Sequence, residues 1–128
     1  MSAEKIAEED LYQVIGEEGF RRFVAGFYRQ VAEDDILGPM YPKHDLEGAE
    51  ERLRDFLKFR FGGPTDYLEK RGHPRLRMRH APFHVDEKAR DRWVEMMDRA
   101  LAEAELPEGA VATLKEFFHS TATFLRNA

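Results

Sequence analysis

Glycine and proline interrupt one stretch of this chain repeatedly. Between Gly62 and Phe83 the sequence contains Gly62-Gly63-Pro64, Gly72-His73-Pro74 and Pro82, so no long helix or strand can run through it. On both sides of the stretch, apolar residues recur at helical spacing. A packed helical bundle has little reason to keep so irregular a segment unless something else fills the space that it encloses. A flat cofactor would fill such a space.

The spacing of apolar residues predicts an all-α fold with four long helices and no convincing strand. The first helix carries Phe20, Val24 and Phe27 on one face and arginines on the other. Capping residues and prolines set the bounds of the others. The predicted helices run from about Glu17 to Glu33, from the cap Asp45 to about Phe61, from the cap Asp86 through Ala104, and from after Pro107 to about Arg126.

Shorter elements are predicted between these helices. A helical piece from Leu11 to Ile15 comes first, and Gly16 and Gly19 mark the corner that follows it. Pro39 and Pro42 bracket a turn or very short helix. Two further short helices are predicted, from Thr65 to Lys70 and from Arg75 to His80.

Size and composition indicate one globular domain over residues 1–128, with residues 1–7 as a loose N-terminal segment. Hydrophobic residues make up 42% of the chain and aromatic residues 12%, which is enough for a ring-rich core. The net charge of -5 argues against nucleic acid as a partner, because phosphate binding depends on an excess of lysine and arginine.

The chain has no cysteine, which excludes disulfides, thiolate metal sites, cysteine nucleophiles and thioether-linked haem. The first ten residues are polar and acidic, unlike a signal peptide, and no apolar stretch is long enough to cross a bilayer. The expected compartment is therefore the cytoplasm, with no membrane partner.

Five histidines are candidates for a metal site. His44 and His73 lie in turns, where a solvated side chain is the simpler interpretation. His119 belongs to Glu116-x-x-His119, which is half of a di-iron motif whose second copy is missing. His80 and His84 are four residues apart, but Pro82 prevents them from sharing a helical face.

His80 differs from the other histidines through its surroundings. It ends a short amphipathic turn that places Leu76 on the same side, and arginines 75, 77 and 79 lie close in sequence. One imidazole on an apolar turn beside cations suits a haem, because the nitrogen can bind iron while guanidinium groups pair with the propionates. A basic surface segment that binds anions fits the same spacing equally well. The residues alone leave both interpretations open.

Several stretches of the sequence, considered together, are more specific than any single motif. They are FYRQVAED at 27–34, MYP at 40–42, DLEGAEERL at 45–53, FGGP at 61–64, RGHPRLRMRHAPF at 71–83 and DRW at 91–93. In these stretches and in their order the chain resembles the truncated haemoglobins, specifically the second group. The similarity extends from about Leu11 to Leu125. One departure lies at the first corner, which reads Gly16-Glu17-Glu18-Gly19 where relatives often carry two adjacent glycines.

The resemblance implies a shortened globin fold, a two-over-two helical sandwich, with haem b bound non-covalently through His80. It implies a distal ligand pocket lined by Tyr28, Tyr41, Trp93, Ala49 and Leu53. The candidates for the propionates are Arg52, Tyr67 and Arg79, and the other expected haem contacts are Phe27, Phe56, Leu76, Met78 and Phe83. Without the resemblance, ordinary core packing is the simpler interpretation of the three distal rings.

The expected function is binding of O2, with CO and NO as other ligands. A diatomic ligand on haem iron gains negative charge, which a phenol or an indole N–H stabilises, whereas Ala49 has no group to donate. Two alternatives stay open: a haem enzyme for NO dioxygenation or peroxide reduction, served by a reductase, and a haem-free helical interaction module. The chain is expected to be a monomer or a homo-oligomer.

Overall fold

The computed structural model describes residues 4–41, 44–65, 69, 72 and 85–128. Within these residues all regular structure is helical. The long helices are α1, Leu11–Val31, α2, Leu46–Arg60, α3, Glu87–Glu103, and α4, Glu108–Leu125, and two 3-10 helices span Glu8–Asp10 and Gly38–Met40. The prediction of an all-α fold with four long helices is confirmed. The short helices predicted between Thr65 and His80 fall largely outside the described residues.

Helix α1 contains the predicted corner. Gly16 has φ 67° and ψ -179°, a conformation that is essentially restricted to glycine, so the helical path breaks there. A first piece from Leu11 to Ile15 and a second from Glu17 onward result, as the sequence predicts. A single glycine is therefore sufficient at this corner, and Gly19 lies inside the second piece as a buried helical residue.

Side-chain caps begin α2 and α3. The carboxylate of Asp45 accepts a hydrogen bond from the backbone N–H of Gly48, and that of Asp86 accepts one from Ala89. Each satisfies a backbone donor that has no partner within its helix. These caps fix the starts of both helices at the predicted residues.

The four helices pack as two layers. Helix α1 contacts α2 within one layer and crosses α3, and α3 contacts α4 within the other layer. The fold is thus a two-over-two helical sandwich. The largest fully buried side chains include Leu11, Phe20, Phe23, Phe27, Leu57, Phe61, Met97, Leu101 and Leu114.

Of residues 1–7, which were expected to be loose, residues 4–7 are described and make specific contacts with the rest of the chain. The backbone N–H of Ile6 donates to the carbonyl of Gly109 over 3.2 Å, and the Thr113 hydroxyl donates to the Ile6 carbonyl over 2.5 Å. A Cβ on Gly109 would lie 2.4 Å from the carbonyl oxygen of Glu4, so only glycine admits the segment at this point. Residues 4–7 therefore pack against the start of α4.

Arg60 is the last residue of α2, and its charged group lies over two aromatic rings. Its guanidinium lies 5.4 Å from the ring centroid of Phe61 and 5.1 Å from that of Phe117. Among the helices that the structure describes, none combines the length and the apolar character that crossing a membrane requires.

Candidate functional site

Three polar aromatic side chains converge from three segments. Tyr28 comes from α1, Tyr41 follows the 3-10 helix, and Trp93 lies in the second turn of α3. The rings of Tyr28 and Tyr41 pack edge to face with centroids 5.6 Å apart. The buried ring of Phe27 lies 5.3 Å from Tyr28 and 5.2 Å from Trp93, so it holds the cluster from the α1 side.

The indole of Trp93 lies beside Tyr41 and acts on it as a hydrogen-bond donor, which lowers the pKa of the phenol against the effect of burial. An indole nitrogen can only donate, so the Tyr41 hydroxyl is the acceptor in this interaction. Among the residues that the structure describes, no acceptor takes the proton of that hydroxyl. The described part of the chain therefore offers this hydroxyl a donor but no acceptor.

The hydroxyl of Tyr28, unlike that of Tyr41, has an acceptor among the described residues. This hydroxyl donates to the backbone carbonyl of Ala49 in α2 over 3.3 Å, and the Tyr28 side chain is almost completely buried. The length makes this a weak hydrogen bond. Tyr28 thus links α1 to α2 directly, and its proton already has an acceptor.

Both phenols are held in their neutral form. Burial raises the pKa of Tyr41 to about 12, although the hydrogen bond from Trp93 acts in the opposite direction. Burial also raises the pKa of Tyr28, the neighbouring Tyr41 raises it further, and the positive charge of Arg52 partly offsets both effects. At neutral pH both hydroxyls therefore carry their proton and can donate.

Helix α2 presents an apolar face next to these rings. Ala49 and Phe56 are buried, and Leu53 is partly buried against the same core. Arg52, predicted to contact a propionate, lies 3.4 Å from the Asp45 carboxylate and is partly exposed in the second turn of the helix. Its influence on Tyr28 places its charge near the cluster, while the propionate contact stays a prediction.

The turn that presents Tyr41 is organised by a residue that the sequence analysis did not single out. One carboxylate oxygen of Asp34 accepts hydrogen bonds from the backbone N–H groups of Ile36, at 3.0 Å, and Leu37, at 2.7 Å. Leu37 is buried beneath the turn. An aspartate that follows a helix and precedes a proline-containing turn is the local signal that indicates such a capping role.

Several predicted site residues lie outside the described residues: His80, Tyr67, Leu76, Met78, Arg79 and Phe83, together with His73 and His84. Two other histidines are described. His44 is exposed, and His119 is partly exposed with its Nε2 3.0 Å from Asp98. Both therefore have the solvated or surface-paired character expected for histidines without a metal.

Comparison with known proteins identifies the family. Residues 10–127 match the family model described as bacterial-like globin. Group 2 truncated hemoglobin YjbI from Bacillus subtilis is 39% identical over 90 residues, which cover 70% of this chain and 67% of that protein. The chain belongs to the group II truncated haemoglobins.

Solved structures agree with this membership of the truncated haemoglobins. Hemoglobin from the thermophilic bacterium Chloroflexus aurantiacus is 46% identical, with a TM-score of 0.88 over 92% of this chain and 98% of that one. A truncated oxygen-avid haemoglobin from Bacillus subtilis is 34% identical, with a TM-score of 0.86 over 91% of this chain and 98% of that one. The expectation of a shortened globin fold is confirmed.

Membership of the globins implies a haem cofactor, and the described part of this truncated haemoglobin fits one side of such a group. The hydroxyl of Tyr41 keeps a proton without a protein acceptor among the described residues. Beside it lies the apolar face of α2 at Ala49, Leu53 and Phe56. Apolar walls with a few convergent donors are the usual composition of a cofactor site.

Proposed function

We propose that this truncated haemoglobin binds haem b non-covalently through His80 and holds O2, as well as CO and NO, beside Tyr41, Trp93 and Tyr28. The observation that carries the proposal is the convergence of Tyr28, Tyr41 and Trp93, held by the ring of Phe27. The apolar face of α2 lies beside them. Haem supplies an iron to which a diatomic ligand attaches. The chain supplies the groups that hold the ligand there.

Neutral donors are the chemistry that such a ligand needs. A hydrogen bond to an acceptor carrying negative charge contributes about 1.5–3 kcal/mol, roughly twice a bond between neutral groups. Burial keeps Tyr41 protonated well above neutral pH, so the donor is not lost by ionisation. The low-dielectric surroundings that raise its pKa also strengthen the bond that it makes.

The three polar rings have unequal roles in the proposal. Tyr41 is the direct donor, since it accepts from Trp93 and has a proton to give. Trp93 polarises Tyr41 and supplies a second N–H when the indole turns to the ligand. Tyr28 contributes less, because its proton is already bound to the Ala49 carbonyl.

Two considerations support O2 binding over the alternatives. The structurally similar haemoglobin from Bacillus subtilis is described as oxygen-avid. Peroxide cleavage calls for a group that accepts a proton near neutral pH, and neither phenol nor indole does so. NO dioxygenation would use the same donors together with a reductase, and it is the second candidate because the three polar rings serve it equally well.

The test is a set of absorption spectra of the purified protein in its ferric, ferrous and oxygenated forms. We expect a Soret band in each form and a stable oxygenated spectrum in air. In the His80→Gly variant we expect loss of the normal ferrous spectrum, with recovery when imidazole is added. His119→Gln is the matched control, because its imidazole pairs with Asp98 on the surface, and it should match the wild type. Unchanged spectra in His80→Gly contradict the assignment.

A further inference from the structure

One ion pair connects the two segments that carry Tyr41 and Trp93. The Nε of Arg92 lies 3.4 Å from Oδ1 of Asp34, and the two side chains are 35% and 12% exposed. Arg92 immediately precedes Trp93 in α3, while Asp34 begins the turn that ends at Tyr41. The ion pair thus joins the same two segments that bring the indole of Trp93 beside Tyr41.

Asp34 makes several further bonds in the turn. Its backbone N–H donates to Val31 over 3.1 Å and its carbonyl accepts from Gly38 over 3.1 Å. Its Oδ2 accepts from both Ile36 and Leu37. Further along the turn, the backbone N–H of Tyr41 donates to the carbonyl of Gly38 over 3.2 Å. A displacement of Asp34 would thus be passed to Tyr41 through consecutive hydrogen bonds.

The two carboxylate oxygens of Asp34 have separate tasks. Oδ2 holds the turn, and Oδ1 faces Arg92. The carboxylate is mostly buried, so its ion pair with Arg92 is less screened by solvent than a fully exposed pair. The ion pair requires the negative charge, whereas the turn requires an acceptor oxygen, whose hydrogen bonds the charge strengthens.

We propose that Asp34 and Arg92 are positioning residues that hold Tyr41 in register with Trp93 and so keep the phenol aimed at the ligand. Neither touches the ligand, and both act through the ring that follows them. The inference rests on the proposed function, because it concerns the donors named there.

Asp34→Asn separates the two tasks. The amide keeps one oxygen as acceptor for the turn but places an NH2 opposite Arg92, so the ion pair is lost while the turn is retained. Arg92→Gln removes the same pair from the other side and leaves every acceptor of the turn in place. Glu95→Gln is the matched control, because it removes an exposed ion pair with Arg99 on the same helix, away from Tyr41.

Trp93 is the only tryptophan of the chain, so a single indole N–H signal in the NMR spectrum reports the bond to Tyr41. The signal is read in the diamagnetic ferrous CO form of the purified protein, and O2 dissociation is measured in parallel. In Asp34→Asn and Arg92→Gln we expect the indole signal to move and its hydrogen exchange to quicken. We also expect O2 dissociation to become about three- to fivefold faster, the scale of a partly exposed ion pair. The double variant should be no faster than either single variant.

Wild-type indole signals and dissociation rates in Asp34→Asn and Arg92→Gln would overturn the inference, as would an equal change in Glu95→Gln. If Asp34→Asn fails to fold, Arg92→Gln decides alone. If the purified protein carries no Soret band, the proposed function fails, whereas the indole signal of that same protein still shows whether the ion pair positions Tyr41. The two failures are thus distinguishable.

Discussion

The replacement Trp93→Phe tests the hydrogen bond on which the proposed ligand site depends. Phenylalanine keeps an aromatic ring between Phe27 and Phe118, whose centroids lie 5.2 Å and 5.4 Å from that of Trp93. It removes the indole N–H that donates to Tyr41. The packing of α3 against its neighbours is thus largely retained while one donor is lost.

The expected change in the O2 dissociation rate depends on the partner that the indole N–H has before the ligand binds. A hydrogen bond to a charged acceptor contributes about 1.5–3 kcal/mol. Because this N–H already interacts with Tyr41, it gains only the difference between that interaction and a bond to the charged ligand. The lower end of that range applies, about 1.5 kcal/mol, which corresponds to roughly a tenfold change in rate. We therefore expect O2 dissociation to be about ten times faster in Trp93→Phe.

The assay is stopped-flow displacement of O2 by CO, with Tyr41→Phe and the double variant measured under the same conditions. Because Trp93 acts partly through Tyr41, the effects of the single variants should not add, and the double variant should lie close to Tyr41→Phe. A dissociation rate for Trp93→Phe within twofold of the wild type would refute the argument. Fully additive effects would refute the dependence of one residue on the other.

Three further predictions concern stability. Burial raises the pKa of Tyr41 to about 12, whereas the pKa of a tyrosine in the unfolded chain is about 10. Between about pH 10 and 12 the unfolded state therefore releases a proton that the folded state retains, and the free energy of unfolding should fall over this range. Thermal unfolding of Tyr41→Phe should show a smaller fall, and an identical pH profile would contradict this. Gly16→Ala should lower the free energy of unfolding, measured in urea, by about 2 kcal/mol, because φ 67° with ψ -179° is strained for any residue with a side chain. A loss below about 0.5 kcal/mol would be inconsistent with the corner described for Gly16. Lys58→Met should lower the free energy of unfolding by about 2 kcal/mol in the same assay. The buried ammonium of Lys58 lies 2.6 Å from Glu17 and 3.6 Å from Asp55, so the carboxylate of Asp55 would lose its partner. A variant as stable as the wild type would show that the Lys58 pairs contribute little.

The helix bounds were predictable because their causes are local. Asp45 and Asp86 bind backbone donors three residues further along, and Gly16 breaks α1 through its own backbone conformation. The buried face of α3, which includes Met97 and Leu101, likewise follows from the spacing of its apolar residues. Information within a few residues was sufficient for each of these features.

The bonds of the site were not predictable in the same way, because they depend on how the helices cross. Tyr28, Tyr41 and Trp93 could be predicted as site residues, but not which of them accepts from which, and no role for Asp34 or Arg92 was expected. The packing of residues 4–7 depends on a glycine about a hundred positions away. The assignment of His80 came from a resemblance between sequences and stays a prediction.

The acceptor for the Tyr28 hydroxyl is a peptide oxygen, which every amino acid at position 49 would supply. Substitutions there alter the size and polarity of the surface that we propose faces the ligand, without depriving Tyr28 of its partner. The shape of the proposed pocket and the restraint on this phenol can consequently change independently during evolution. A library of variants at position 49 would then vary ligand selectivity while the tie between α1 and α2 is preserved.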